Sequence, residues 1–176
     1  MAAFFTAVQT YVQQQHTDSL RQVYSWILGS LATSGWHDVW LVVPYVAVSC
    51  AVLLAHRRLL DVLRLGDAEA TTLGVSTGST RLLIVASATL GTAAVVAVSG
   101  LIGFVGIIVP HAIRLTAGPS YRRIVPLSMI AGAAFLIAAD LLARTLTAPA
   151  EVPIGVITAF FGAPFFILVL HRRARP

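Results

Sequence analysis

Lysine is absent from this sequence, cysteine occurs once, and charge of either sign is scarce. All twelve basic residues are Arg, and Asp and Glu together number seven. Charged residues make up 11% of the chain, against about 25% in ordinary soluble domains. The single cysteine, Cys50, lies inside an apolar run; it excludes an intrachain disulfide and a Cys-based metal cage, and reads as a small residue facing lipid or another helix. A basic n-region is lacking at Met1–Phe5 and the chain turns polar at Gln13–Gln15, so no cleavable signal peptide is expected. What the sequence does hold is apolar side chain: 57% of the residues, with a mean hydropathy of +0.85. A single soluble core of this size cannot hide that much apolar surface, so the solvent for most of it is lipid. The net charge of +5 would suggest nucleic acid in a soluble chain, but here the Arg residues sit in short clusters between apolar runs, and no nucleic-acid role is expected.

A helix needs about 20 apolar residues to cross a hydrocarbon layer of about 30 Å. Five runs meet that length: Trp36 to Ala55, Leu82 to Ser99, Leu101 to Ala117, Val125 to Thr147 and Val152 to Leu170. Pro44, Pro110 and Pro164 interrupt three of them and predict kinks or breaks. Residues 1–16 are too short to span and read as the remnant of a helix. The expected class is all-α: one polytopic membrane domain, 1–176, with about five spans in 36–176.

If the five spans alternate, the Arg clusters all fall on one side. They are His56-Arg57-Arg58 with Arg64, then Arg81, then Arg114 with Arg122 and Arg123, and finally His171-Arg172-Arg173 with Arg175. Positive charge marks the cytoplasmic side, which places the C-terminus inside and residues 17–35 outside. Trp26, Trp36 and Trp40 then lie at the outer interface, where an aromatic belt belongs.

Small residues predict how the spans pack. Gly100, Gly103 and Gly106 recur every three residues, and Gly155, Ala159 and Ala163 every four, with Gly162 beside them. Such stripes let helix backbones approach closely in lipid.

Three segments carry polar chemistry. The loop 59–81 is the longest connection on the basic side. In it, Asp67 can cap a short helix with Glu69 in its first turn, and Gly74 can end it in the left-handed conformation. That segment is either a plain surface turn or a small helix presented to a cytoplasmic partner. In Ser99–Arg114, Pro110 frees a carbonyl, and His111 and Arg114 follow it. Arg114 can snorkel, and His111 has no second ligand at i+3 or i+4, so no metal site is expected. Asp140 and Arg144 can pair at i, i+4, and Glu151 precedes the last span near its positive dipole end. His111 lies toward one face while Asp140 and Glu151 lie toward the other. Groups so separated cannot share a reaction centre, so no enzyme is expected.

The strings LGDAEATTLGV, SGLIGFVGIIVPHAIRL, LIAADLLARTL and EVPIGVITAFFGAPFFILVL, in this order and spacing, resemble the C-terminal half of FecCD-type permeases of ABC importers. WILGSLATSGWHDV, Trp26 to Val39, resembles that family's extracytoplasmic re-entrant segment, and 17–35 is read as that region. The resemblance implies a permease for iron–siderophores, haem or cobalamin in the bacterial inner membrane. It implies a translocation pathway lined by few specific side chains, to which Gly100, Gly103, Gly106, Pro110, Gly155 and Gly162 would contribute close packing. Gly66, Asp67, Glu69, Ala70, Leu73 and Gly74 would form the coupling region that docks a cytoplasmic ATPase subunit. Further implied partners are an extracytoplasmic substrate-binding protein and a second permease subunit, identical or not. The chain has no GxxxxGK[ST] string, so ATP would be used by the partner, and no cofactor is expected on this chain. The mid-helix start at Met1 leaves open a truncated remnant, or a half-permease that requires a separately encoded first half.

Overall fold

Inside a bilayer every backbone N–H and C=O must find its partner within the protein, so runs this apolar have one regular option, the α-helix. The computed structural model of the protein describes residues 2–15, 17–32, 34–146 and 152–173. Among these the chain is helical, with no strand. The helices are α1 (Ala2–Gln15), α2 (Thr17–Leu28), α3 (Trp36–Ala55), α4 (Arg57–Leu63), α5 (Asp67–Thr72), α6 (Thr77–Ser99), α7 (Val105–Ala117), α8 (Tyr121–Thr145) and α9 (Ile154–Arg173). Three of them, α3, α6 and α8, are long and apolar enough to cross a membrane. Only 6–11% of their most apolar stretches is buried within the chain, so their side chains need an apolar surrounding that the chain itself does not supply.

The third expected span differs from its sequence reading. Its helix begins at Val105 rather than Leu101 and runs for 13 residues, a rise of about 20 Å. The fifth expected span is met by α9, which runs for 20 residues from Ile154 to Arg173. Leu101–Gly103 are not helical, and Phe104 turns the chain at φ +67 to start α7. Irregular backbone at membrane depth survives only where protein satisfies it. Here the end of α2 does so: the Leu101 amide donates to the Trp26 carbonyl at 3.2 Å, and the Ser30 amide donates to the Ser99 carbonyl at 3.0 Å.

α3 and α6 pack along a seam of small polar residues. Ser49 and Ser87 are both buried, and the Ser49 hydroxyl donates to the Ser87 carbonyl at 2.7 Å. Gly91 faces the same hydroxyl with no room for a Cβ. In lipid no hydrophobic force draws helices together, so such close approach and buried hydrogen bonding hold the pair. α8 packs between α7 and α9, and α4 lies across its start. The core is Ala139, Ala143, Ile154 and Ile157, closed by the Val152 amide donating to the Ala143 carbonyl at 3.2 Å.

Candidate functional site

The bundle has two ends. At one, Asp61 from α4 and Arg64 just after it reach the 118–121 turn, and Arg81 reaches Asp67; this end carries Arg57, Arg58, Arg114, Arg122 and Arg123 as well. At the other, 26–30, 99–102 and 152–155 meet.

The coupling candidate sits at the arginine-rich end. The sequence places Asp67 as the helix cap; the structure instead puts Gly66 there, at φ +120, with no side-chain cap. Asp67 occupies the first helical position, and its Oδ1 accepts from Arg81 Nη2 at 2.9 Å. A charged guanidinium is the stronger donor, and it draws the carboxylate away from the helix amides. The helix stops as its glycine requires. Gly74 stands at φ +77, its amide donates to the Thr71 carbonyl at 3.0 Å, and the Val75 amide donates to the Ala70 carbonyl at 3.1 Å. This crossed pair is the Schellman ending, which only a left-handed residue at the turn permits without strain.

Ala70 is fully buried while Leu65 and Leu73 are 62% and 63% exposed. So α5 is fastened by Ala70 on one face and displays Glu69 and two leucines on the others. It is a short, tied helix with an acidic and apolar surface, joined to α6 by the Asp67–Arg81 pair.

Beside it lies an arrangement the sequence reading missed. Asp61 Oδ2 accepts from the Ser120 hydroxyl at 2.6 Å, and Oδ1 accepts from the Tyr121 amide at 2.7 Å. Arg64 donates to the Pro119 carbonyl, and Arg64 and Arg114 lie 5.7 and 5.9 Å from the Tyr121 ring centre. Burial pushes the Asp61 carboxyl upward, but the Ser120 hydroxyl, the Tyr121 and Arg122 amides and the Arg64 charge outweigh it together and hold its pKa below the ordinary value. The signal was available: Asp61 is the one acid among Arg57, Arg58 and Arg64, and Ser120 follows Gly118-Pro119 as a helix-capping residue would.

The glycines at the opposite end divide into two sets. Gly100, at φ +69, ends α6 so close to the Trp26 carbonyl that a Cβ would overlap it. Gly155 stands equally close to the Leu28 carbonyl, and Gly162 supports the Phe104 ring. Gly103 and Gly106 have no atom within 4 Å of where a Cβ would stand. The expected three-residue stripe therefore does not exist, because Gly100 and Gly103 belong to no helix and share no face. On α9 the buried line is Ile154, Thr158 and Gly162, with Gly155 beside it, whereas Ala163 is exposed. The line is offset from the expected 155/159/163 register because α9 packs on Ala139 and Ala143 of α8, on the end of α2 and on the Phe104 ring rather than through a small-residue stripe.

The remaining polar candidates are dispersed. Pro110 lies within α7, and the His111 ring meets Phe165 edge-on at 5.6 Å. Asp140 and Arg144 pair at 2.8 Å. Glu151 lies outside the described residues. Among the described residues, no three His, Cys, Asp or Glu side chains converge on a metal position.

Against known proteins, residues 1–172 match the model of the FecCD transport family. The chain is 46% identical over 168 residues to the cobalamin import system permease protein BtuC of Halobacterium salinarum, covering 95% of this chain and 45% of that protein. It is 40% identical to the hemin transport system permease protein HmuU of Yersinia pestis, over 94% of this chain and 49% of that one. It is 38% identical to the Fe(3+) dicitrate transport system permease protein FecD of Escherichia coli, over 98% and 54%. A solved metal-chelate type ABC transporter in an inward-facing conformation superposes with a TM-score of 0.84 at 32% identity, covering 97% of this chain and 56% of that one. These relatives are transport permeases by description, and the chain spans about half the length of each.

Proposed function

The chain belongs to the FecCD transport family, and from that premise we propose that it forms part of the permease of an ABC importer for iron–siderophores or related metal chelates. Its helices contribute to the translocation pathway of a multi-pass membrane protein. The arginine-rich end faces the cytoplasm, together with the C-terminus, in the inner membrane of a bacterium. α5 and its flanks, Gly66 to Gly74, receive a cytoplasmic ATP-binding subunit. Residues 17–35 form a re-entrant outer segment on the side of a substrate-binding protein, and a second permease subunit completes the pathway.

The observation that supports coupling most directly is the construction of α5: a six-residue helix tied by the buried Ala70 and the Asp67–Arg81 pair, displaying Glu69, Leu65 and Leu73. A partner that closes on ATP can move such a helix as a rigid body and so tilt α6. Charge reversal at the exposed Glu69 tests this. Glu69→Lys is expected to weaken co-purification of the ATP-binding subunit about tenfold while the chain still inserts. Undiminished co-purification sinks the coupling assignment. For the activity, ATP-dependent uptake of an iron chelate by vesicles holding the chain with its ATPase and binding protein is expected, and its absence in that complete system would overturn the import reading.

A further inference from the structure

Three of the arginines at the basic end have no partner among the described residues. Arg57 from the first turn of α4, and Arg122 and Arg123 from the first turn of α8, line a cavity of about 550 Å³ floored by the 118–120 turn. Among the described residues none of the three makes an ion pair, and no carboxylate among them lines the cavity. The nearest acid, Asp61, is spent on Ser120 and Tyr121, and the neighbouring Arg64 is spent on the Pro119 carbonyl. Asp61 also occupies the first amides of α8, so what remains to attract an anion is the three guanidinium groups rather than the helix end.

Their depth is set by the spans. Arg57 stands two residues past the end of α3, and Arg122 and Arg123 immediately precede the apolar run that starts at the buried Ile124. Both helices are long and apolar enough to cross the membrane, so the cavity lies where hydrocarbon gives way to headgroups. Arg122 and Arg123 are exposed and Arg57 is half-buried; three like charges around one cavity repel each other, and an anion between them relieves that repulsion. The guanidinium fork matches a phosphate in two-point contact. At this depth the abundant phosphate is the lipid's own, and basic pockets between spans are a recognised place for anionic headgroups.

We propose that the Arg57–Arg122–Arg123 cavity binds the phosphate of an anionic phospholipid. The lipid pins the 118–120 turn, and with it the contact between α4 and α8, to the membrane surface. The inference rests on the membrane crossing of α3 and α8 and not on the direction of transport or the nature of the cargo.

The test uses the full chain in phosphatidylcholine vesicles containing one-fifth phosphatidylglycerol, released for native mass spectrometry. The triple variant Arg57→Gln, Arg122→Gln, Arg123→Gln is expected to lose retained phosphatidylglycerol by about fivefold for each arginine removed. A charge-matched control, Arg58→Gln with Arg81→Gln and Arg114→Gln, is expected to retain it. Equal loss in both, or loss in neither, overturns the site, since the lipid would then respond to overall charge alone. Displacement of the lipid by inorganic phosphate, with phosphate retained in its place, assigns the cavity to a free anion and overturns the lipid source. Unchanged lipid with lost ATPase binding would show the arginines to serve a protein partner and would overturn it too. Should the triple variant fail to fold, the unaltered chain carries the test: phosphatidylglycerol bearing a photoreactive headgroup is expected to cross-link to 117–123 and 56–58, and labelling elsewhere only refutes the proposal.

Discussion

Where 26–30, 99–102 and 152–155 meet, backbone lies against backbone and glycine is the only residue that fits; at the arginine-rich end, charged side chains bridge gaps that the backbone leaves open. The contrast follows from solvent. Deep in the bundle an unpaired polar group is costly, so the broken stretch before α7 is satisfied by direct contact with α2. At the membrane surface water is at hand, charges are affordable, and long side chains can reach across. One end is thus fixed by shape and indifferent to pH or salt, and the other is fixed by charge and sensitive to both.

The largest effect that would separate the two ends is steric. Gly155→Leu drives a side chain into the Leu28 carbonyl, where only backbone could move, and is expected to cost about 3 kcal/mol or more of stability in thermal unfolding. Gly103→Ala, with open space around it, is expected to stay within about 0.5 kcal/mol, and a comparable loss there would erase the distinction between the two glycine sets. Somewhat smaller is the cost of Gly162→Val, about 2 kcal/mol, because the obstacle is the Phe104 side chain rather than backbone. Phe104→Ala in the same chain should relieve much of it, and additive losses in the double-mutant cycle would deny the contact.

At the charged end, Asp61→Asn should cost about 1–2 kcal/mol near neutral pH, by weakening two hydrogen bonds to the carboxylate. The Asp61 pKa is lower folded than unfolded, so its contribution is complete above the ordinary carboxylate pKa of about 4 and fades as pH falls through the folded value. Unfolding of wild type and Asp61→Asn should therefore converge in acid, and a constant gap across pH would contradict the assignment. The smallest effect is expected from Arg81→Ala. Its pair with Asp67 is 59% and 61% exposed, so its stability loss should be no more than about 0.5 kcal/mol and should shrink with salt.

The spans were legible because lipid demands long apolar runs, and the arginine clusters were legible because they interrupt those runs. The short helix at 67–72 was legible too, since Gly74 has few other uses after such a stretch. The late start of α7 was not. Leu101 and Ile102 are as apolar as any helical residue, and only the approach of Trp26 and Ser30 gives their backbone an alternative to a helix. The role of Asp61 was hidden for a similar reason, since its partners lie about sixty positions away in the chain.

Hydropathy, charge placement and glycine position thus determined by themselves that this is a helical membrane protein with one basic end and a short helix ended by Gly74 in its longest basic loop. Those are local properties, set by what each segment needs from its solvent. Which glycines touch, where the third span breaks, and which arginines are left unpaired were decided only by tertiary structure. Each depends on which distant segment arrives alongside, and the pattern of a single run carries no record of its neighbour.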